Sequence, residues 1–141
     1  MLALGRKIRV LSKISAEIHS FLSDSIIEKG GVIFTNGDNT IVKFTPDLYS
    51  CNCTETSYTP DTKKLSEIIN NTVSDGKLFF AGFVHSHPNN SNLSDEDIAY
   101  VRKVLSAIQS PSLICGIFDI TKNILKLYRI YPYKIEVLTC H

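Results

Sequence analysis

No stretch of this chain approaches the ~20 consecutive apolar residues of a membrane-spanning helix. The opening Met1-Leu2-Ala3-Leu4-Gly5-Arg6-Lys7 reaches its charges too soon for the apolar core of a signal peptide. A cytoplasmic protein without membrane contact is the expectation. Charge of one sign is also missing: 15 Lys and Arg against 14 Asp and Glu leave +1, which offers no electrostatic footprint for nucleic acid. The densest basic pairs, Lys63-Lys64 and Arg102-Lys103, read as solvated helix faces. Internal repeats and low-complexity linkers are absent, so the 141 residues read as one domain, 1–141. At that size roughly two thirds of the unfolded surface can be buried without a staple. Cysteine is sparse. Cys51 and Cys53 flank Asn52 without the companion pair a metal site needs, so free loop thiols are favoured over a second metal site. Cys115 lies in an apolar run and reads as a small core residue, and Cys140 is next to the end.

What remains is ordinary globular material, 43% hydrophobic and 21% charged. Residues 7–13 alternate as a strand. Residues 15–28 carry Ile18, Phe21, Leu22 and Ile26 at helical spacing, with Ser15 as N-cap and Gly30 as the stop. Runs 31–35 and 40–44 form a hairpin across Asn36-Gly37-Asp38-Asn39. Residues 45–59 are polar and unperiodic, a long loop with room for a short strand. Residues 60–73 read as a second helix and 77–84 as a buried strand that ends at two histidines. A third helix opens at Ser94 with Ile98, Val101, Leu105 and Ile108 on one side; strands at 112–119, 123–130 and 134–138 follow. The pattern predicts an α+β sandwich, a curved, mostly antiparallel sheet covered by about three helices.

The chemistry concentrates in Phe83-Val84-His85-Ser86-His87-Pro88 and Leu93-Ser94-Asp95-Glu96-Asp97. Two histidines at i and i+2 of an extended chain point to the same face and can reach one metal ion. If Ser94 opens a helix, Asp97 in its first turn can lean back as third ligand, leaving a fourth position for water, as in catalytic zinc sites. Bland readings stand beside this one: His-x-His before Pro is a common polar turn. Asp95, Glu96 and Asp97 behind a Ser94 N-cap also suit the positive end of a helix dipole. Ser86 should face the opposite side of the strand as a packing or supporting residue, and Pro88 gives a rigid exit. His19 and His141 have no partner spacing.

His85, His87, Pro88, Ser94 and Asp97, together with Glu28-Lys29-Gly30-Gly31-Val32-Ile33-Phe34 upstream, resemble the pattern of the JAMM (MPN+, JAB-domain) zinc metalloproteases. The resemblance runs along nearly the whole chain and is closest to small prokaryotic members. It implies a JAB/MPN, cytidine-deaminase-like sandwich and one Zn2+ with a catalytic water on His85, His87 and Asp97. It also assigns Glu28 as general base and Ser94 as oxyanion donor. The implied reaction is hydrolysis of a peptide or isopeptide bond after the C-terminus of a ubiquitin-like or sulfur-carrier protein, in a conjugation or antiphage defence system. E1-like activating and E2-like conjugating enzymes are the implied partners, and a monomer or weak dimer the implied state. A substrate tail adding to a strand edge would run beside loop 45–59. One departure is visible: Asp97 follows His87 by one position fewer than is usual in the family, which leaves Asp95 and Glu96 as alternative ligands. Other classes compatible with the pattern are a non-catalytic MPN scaffold and a RadC-like DNA-repair-associated protein.

Overall fold

A computed structural model describes residues 7–24, 26–48, 53–54, 58 and 60–140. The elements are β1 (Lys7–Val10), α1 (Ser12–Ser23), β2 (Gly30–Thr35), β3 (Thr40–Pro46), α2 (Thr62–Val73), β4 (Phe79–His87), α3 (Asp95–Ala107), β5 (Leu113–Asp119), β6 (Ile124–Ile130), β7 (Ile135–Val137) and β8 (Thr139–Cys140). All eight strands join one sheet in the order β7-β6-β5-β4-β2-β3-β1-β8. Ile14, Ile18 and Leu22, four residues apart, pack α1 on one face against Ile33, Val84 and Phe118. Leu65 of α2 and Val101 and Leu105 of α3 pack on the other against Phe34, Phe83 and Ile117. The α+β expectation holds, as a sheet between helical layers.

Three details depart from the sequence reading. The sheet is more mixed than mostly antiparallel: β4–β5, β1–β3 and β1–β8 pair parallel, while β2–β3, β2–β4, β5–β6 and β6–β7 pair antiparallel. The parallel β4–β5 pair follows from α3, the crossover that carries the chain back to the same sheet end. Second, α1 begins at Ser12 behind Leu11, without a side-chain cap, and ends at Ser23. The polar Ser23-Asp24-Ser25 favours turns over helix, so Glu28 lies beyond the helix and Ile26 is exposed. Third, β4 runs through both histidines, and Ile108 is an exposed cap residue of α3.

A bulge decides which way those histidines point. Phe80 packs with the α2–α3 layer and Ala81 with the α1 layer. Strict alternation from Phe80 would carry even-numbered positions onto the α3 face and His85 and His87 away from it. Against β2, however, Ile33 pairs with Gly82 and Phe34 with Phe80, leaving Ala81 unopposed. The extra residue resets the alternation, so Phe83, His85 and His87 share the α3 face. Gly82 makes this possible at φ +147, where an added Cβ would lie 1.8 Å from the Ile114 carbonyl oxygen. Gly82→Ala is expected to cost about 3 kcal/mol through strain and overlap with β5. A urea midpoint equal to the parent's would show that the bulge tolerates a side chain.

Candidate metal centre

The centre forms where the C-terminal end of β4 meets the N-terminus of α3, the end of a parallel β-α-β unit at which ligands commonly sit. Ser94 caps α3 reciprocally: its Oγ accepts from the Asp97 N–H at 3.0 Å, and its own N–H donates to Asp97 Oδ2 at 3.0 Å. That box holds the Asp97 carboxylate over β4, with Oδ1 2.9 Å from His85 Nε2 and Oδ2 3.4 Å from His87 Nε2. The capping reading of Asp97 holds, and the cap sets its carboxylate against both imidazoles. Asp95 and Glu96 are exposed, and it is Asp97 that reaches both histidines despite the shorter loop.

Glu28 arrives from the other side. Its carboxylate and one ring nitrogen from each of His85 and His87 lie within 4.8 Å of one another, a group that can hold a metal ion. Backbone bonds fix the segment: Glu28 N–H donates to Thr54 O at 2.9 Å, Lys29 N–H to Ser86 Oγ at 2.9 Å, and Ser86 N–H to Lys29 O at 2.9 Å. Ser86 is fully buried on the face opposite the histidines and ties β4 to the glutamate segment. The Lys29 ammonium pairs with Asp24 and lies over the Phe21 ring. Ser94 lines the same cavity as Glu28, His85, His87 and Asp97.

Burial pushes the Glu28 carboxyl above its ordinary 4.5; the two histidines offset part of that rise and Asp97 adds to it. Burial alone would raise Asp97 too, but hydrogen bonds from His85 and His87, and then from the Ser94 N–H, hold it well below the usual carboxylate range. Burial opposes charge on His87, yet its bonds to Asp97 and Asn90 and the nearby carboxylates raise it above 6.5. His87 Nδ1 faces Asn90 Oδ1 at 3.3 Å, and that oxygen also accepts from the Asn92 N–H at 3.0 Å. With Nδ1–H donating to Asn90, Nε2 is the His87 nitrogen available to a metal ion. Asn90→Ala should therefore weaken metal binding by ~10–100-fold in a chelator competition; an unchanged affinity would mean that His87 needs no such orienting.

Tyr58 was missed by sequence reasoning, because the loop that carries it has no periodic pattern. Its ring lies 5.8 Å from that of His85, centroid to centroid, and its hydroxyl donates to Asp47 Oδ2 at 2.7 Å. A Cβ on Gly30 would come within 2.6 Å of this ring, so the first glycine of the pair serves close packing beside the site. Asn90 was missed too, being one of several asparagines in a turn. Cys51 and His141 lie outside the described residues. Cys53 is a free thiol and Cys115 is buried, as its apolar surroundings suggested. No helix of the described residues is long and apolar enough to cross a membrane.

The architecture has a solved counterpart. The solution structure of protein DSY2949 from Desulfitobacterium hafniense superposes with a TM-score of 0.73 over 95% of this chain and 92% of that one, at 16% sequence identity. At that identity the likeness concerns the fold alone. No family model and no curated protein matches the sequence.

Proposed function

We propose that this chain is a zinc-dependent metallopeptidase of the JAMM type with a JAB/MPN fold, hydrolysing a peptide or isopeptide bond after the C-terminus of a ubiquitin-like or sulfur-carrier protein. The observation that carries the reading is the convergence of Glu28, His85 and His87 within 4.8 Å at a cavity whose other wall is Asp97 on both imidazoles. The donor set suits zinc, an imidazole and carboxylate group without thiolates.

His85, His87 and Asp97 would hold the ion. When bound, zinc supplies Lewis acidity, making water nucleophilic near neutral pH and polarising the scissile carbonyl. Glu28 does the proton work. Its raised pKa makes the carboxylate a stronger base for taking a proton from attacking water, and the carboxylic acid so formed is still acidic enough to return that proton to the leaving amine nitrogen. Ser94 uses its Oγ lone pair for the α3 cap, so the hydroxyl hydrogen is free of that contact and available to a developing oxyanion in the same cavity. Two roles that compete on paper use different parts of one hydroxyl.

The test is cleavage of ubiquitin-like and sulfur-carrier proteins fused through their C-terminal glycine to a reporter, with the zinc-loaded full chain. Scission after that glycine, abolished by chelation and restored by zinc, is expected. A zinc-loaded protein that binds such fusions without cutting any of them would favour the scaffold class instead.

A further inference from the structure

A second cavity, about 200 Å³, opens beside the metal centre and shares Tyr58, His85, Glu96 and Asp97 with it. Its inner wall is different in kind. Phe83, Val101 and Cys115 are all buried, and the Tyr100 ring stands edge-on to Phe83 at 5.3 Å. Val101 and Cys115, two small side chains, line it beside these rings. Burial, with the Asp47 charge behind it, keeps the Tyr100 phenol neutral, and burial likewise keeps the Cys115 thiol protonated. Phe83, Tyr100, Val101 and Cys115 therefore present no charge, while the exposed Glu96 carboxylate and that of Asp97 line the rest of the cavity.

We propose that this cavity is a side-chain subsite of the metal centre, taking one apolar side chain of leucine to phenylalanine size from the residue that follows a scissile peptide bond. The inference rests on the hydrolytic reading for the words "scissile bond", but the selectivity follows from the walls. At about 200 Å³ the cavity is smaller than the roughly 300 Å³ at which pockets for drug-sized ligands begin. It has room for a side chain and little more. Aspartate and glutamate are rejected twice, by the uncharged walls and by the Glu96 carboxylate. A lysine would set its ammonium among Phe83, Val101 and Cys115, where the nearby Asp97 carboxylate is already committed to His85 and His87. Glycine leaves the cavity unfilled and loses the burial of apolar surface.

The probes are N-acetyl-leucinamide, N-acetyl-glycinamide, N-acetyl-aspartamide and N-acetyl-lysinamide, titrated into the full chain with and without zinc and followed by backbone amide shifts. Leucinamide should bind at least ~10-fold more tightly than glycinamide, with the largest shifts at Phe83, Tyr100, Val101 and Cys115, and aspartamide should not bind. Cys115→Leu, which fills the floor, should remove the preference; Tyr100→Ala, which takes away a wall on the partly exposed side of α3, is the second variant if the first does not fold. Equal affinities for leucinamide and glycinamide, tighter binding of lysinamide, or shifts centred elsewhere would overturn the subsite. The two readings fail separately. Leucine-selective binding in a chain that takes up no zinc keeps the subsite and ends the hydrolytic reading. Zinc-dependent cleavage without side-chain preference does the reverse.

Discussion

Glu28→Gln should retain zinc and lose turnover by about 10²–10⁴-fold. Glutamine keeps the volume and a hydrogen-bonding oxygen but cannot carry the proton from water to the leaving amine. The 4.8 Å group makes the experiment decisive, because Glu28 stands close enough to the histidines to be read as a ligand as well as a base. Loss of the metal together with activity would make Glu28 a ligand and leave the base unassigned. The segment has little freedom to adjust: Thr54 and Ser86 grip the backbone on either side of the Glu28 carbonyl. Ser86→Ala should consequently lower kcat more than it raises KM, since Ser86 touches the glutamate segment and not the cavity.

The second large effect is that of Asp97→Ala. As a ligand, Asp97 should cost more metal affinity than the ~10–100-fold expected of an outer partner such as Asn90. Without metal, the same variant reports on the ion pairs. Asp97 titrates below its ordinary 3.8, so its contribution is complete above 3.8 and is lost as the pH falls through the folded-state value. His87 titrates above its ordinary 6.5, so its contribution is complete below 6.5 and is lost as the pH rises through the raised value. Metal-free parent should exceed metal-free Asp97→Ala in stability most between 3.8 and 6.5. Metal affinity runs the other way, because the Nε2 proton of His87 must leave before that nitrogen can ligate. Thermal midpoints with and without zinc from about pH 5 to pH 8 read both trends; a metal-free margin that widened above neutrality would contradict the pairing.

His85, His87, Ser94 and Asp97 were legible in the sequence because their relations are local. A two-residue spacing on a strand and a four-residue capping box each impose a geometry that survives any choice of topology. What the sequence left open depends on contacts between distant segments. The parity of β4 turns on Gly82, whose meaning comes from the Ile114 carbonyl across the sheet, so an apolar run with one glycine read simply as a buried strand. Glu28 was found by the glycine pair that follows it, but its place was misjudged: α1 ends at Ser23, and bonds to Ser86, 57 positions along the chain from Lys29, do the positioning expected of the helix. Tyr58 lacked any local signal, since its ring is fixed by Gly30 and His85 from two other segments and by Asp47 at the far end of its own loop. The parallel strand pairings followed the same rule: β8 is two residues long, and only the partner β1 makes it a strand.

The most direct test of the central claim is the zinc content of the purified full chain, set beside that of a His85→Ala/His87→Ala variant after equal zinc supplementation at neutral pH. The account predicts about one zinc per chain in the parent, as for a mononuclear site, and none retained by the variant. A parent that holds no zinc, or a variant that holds as much, would contradict it.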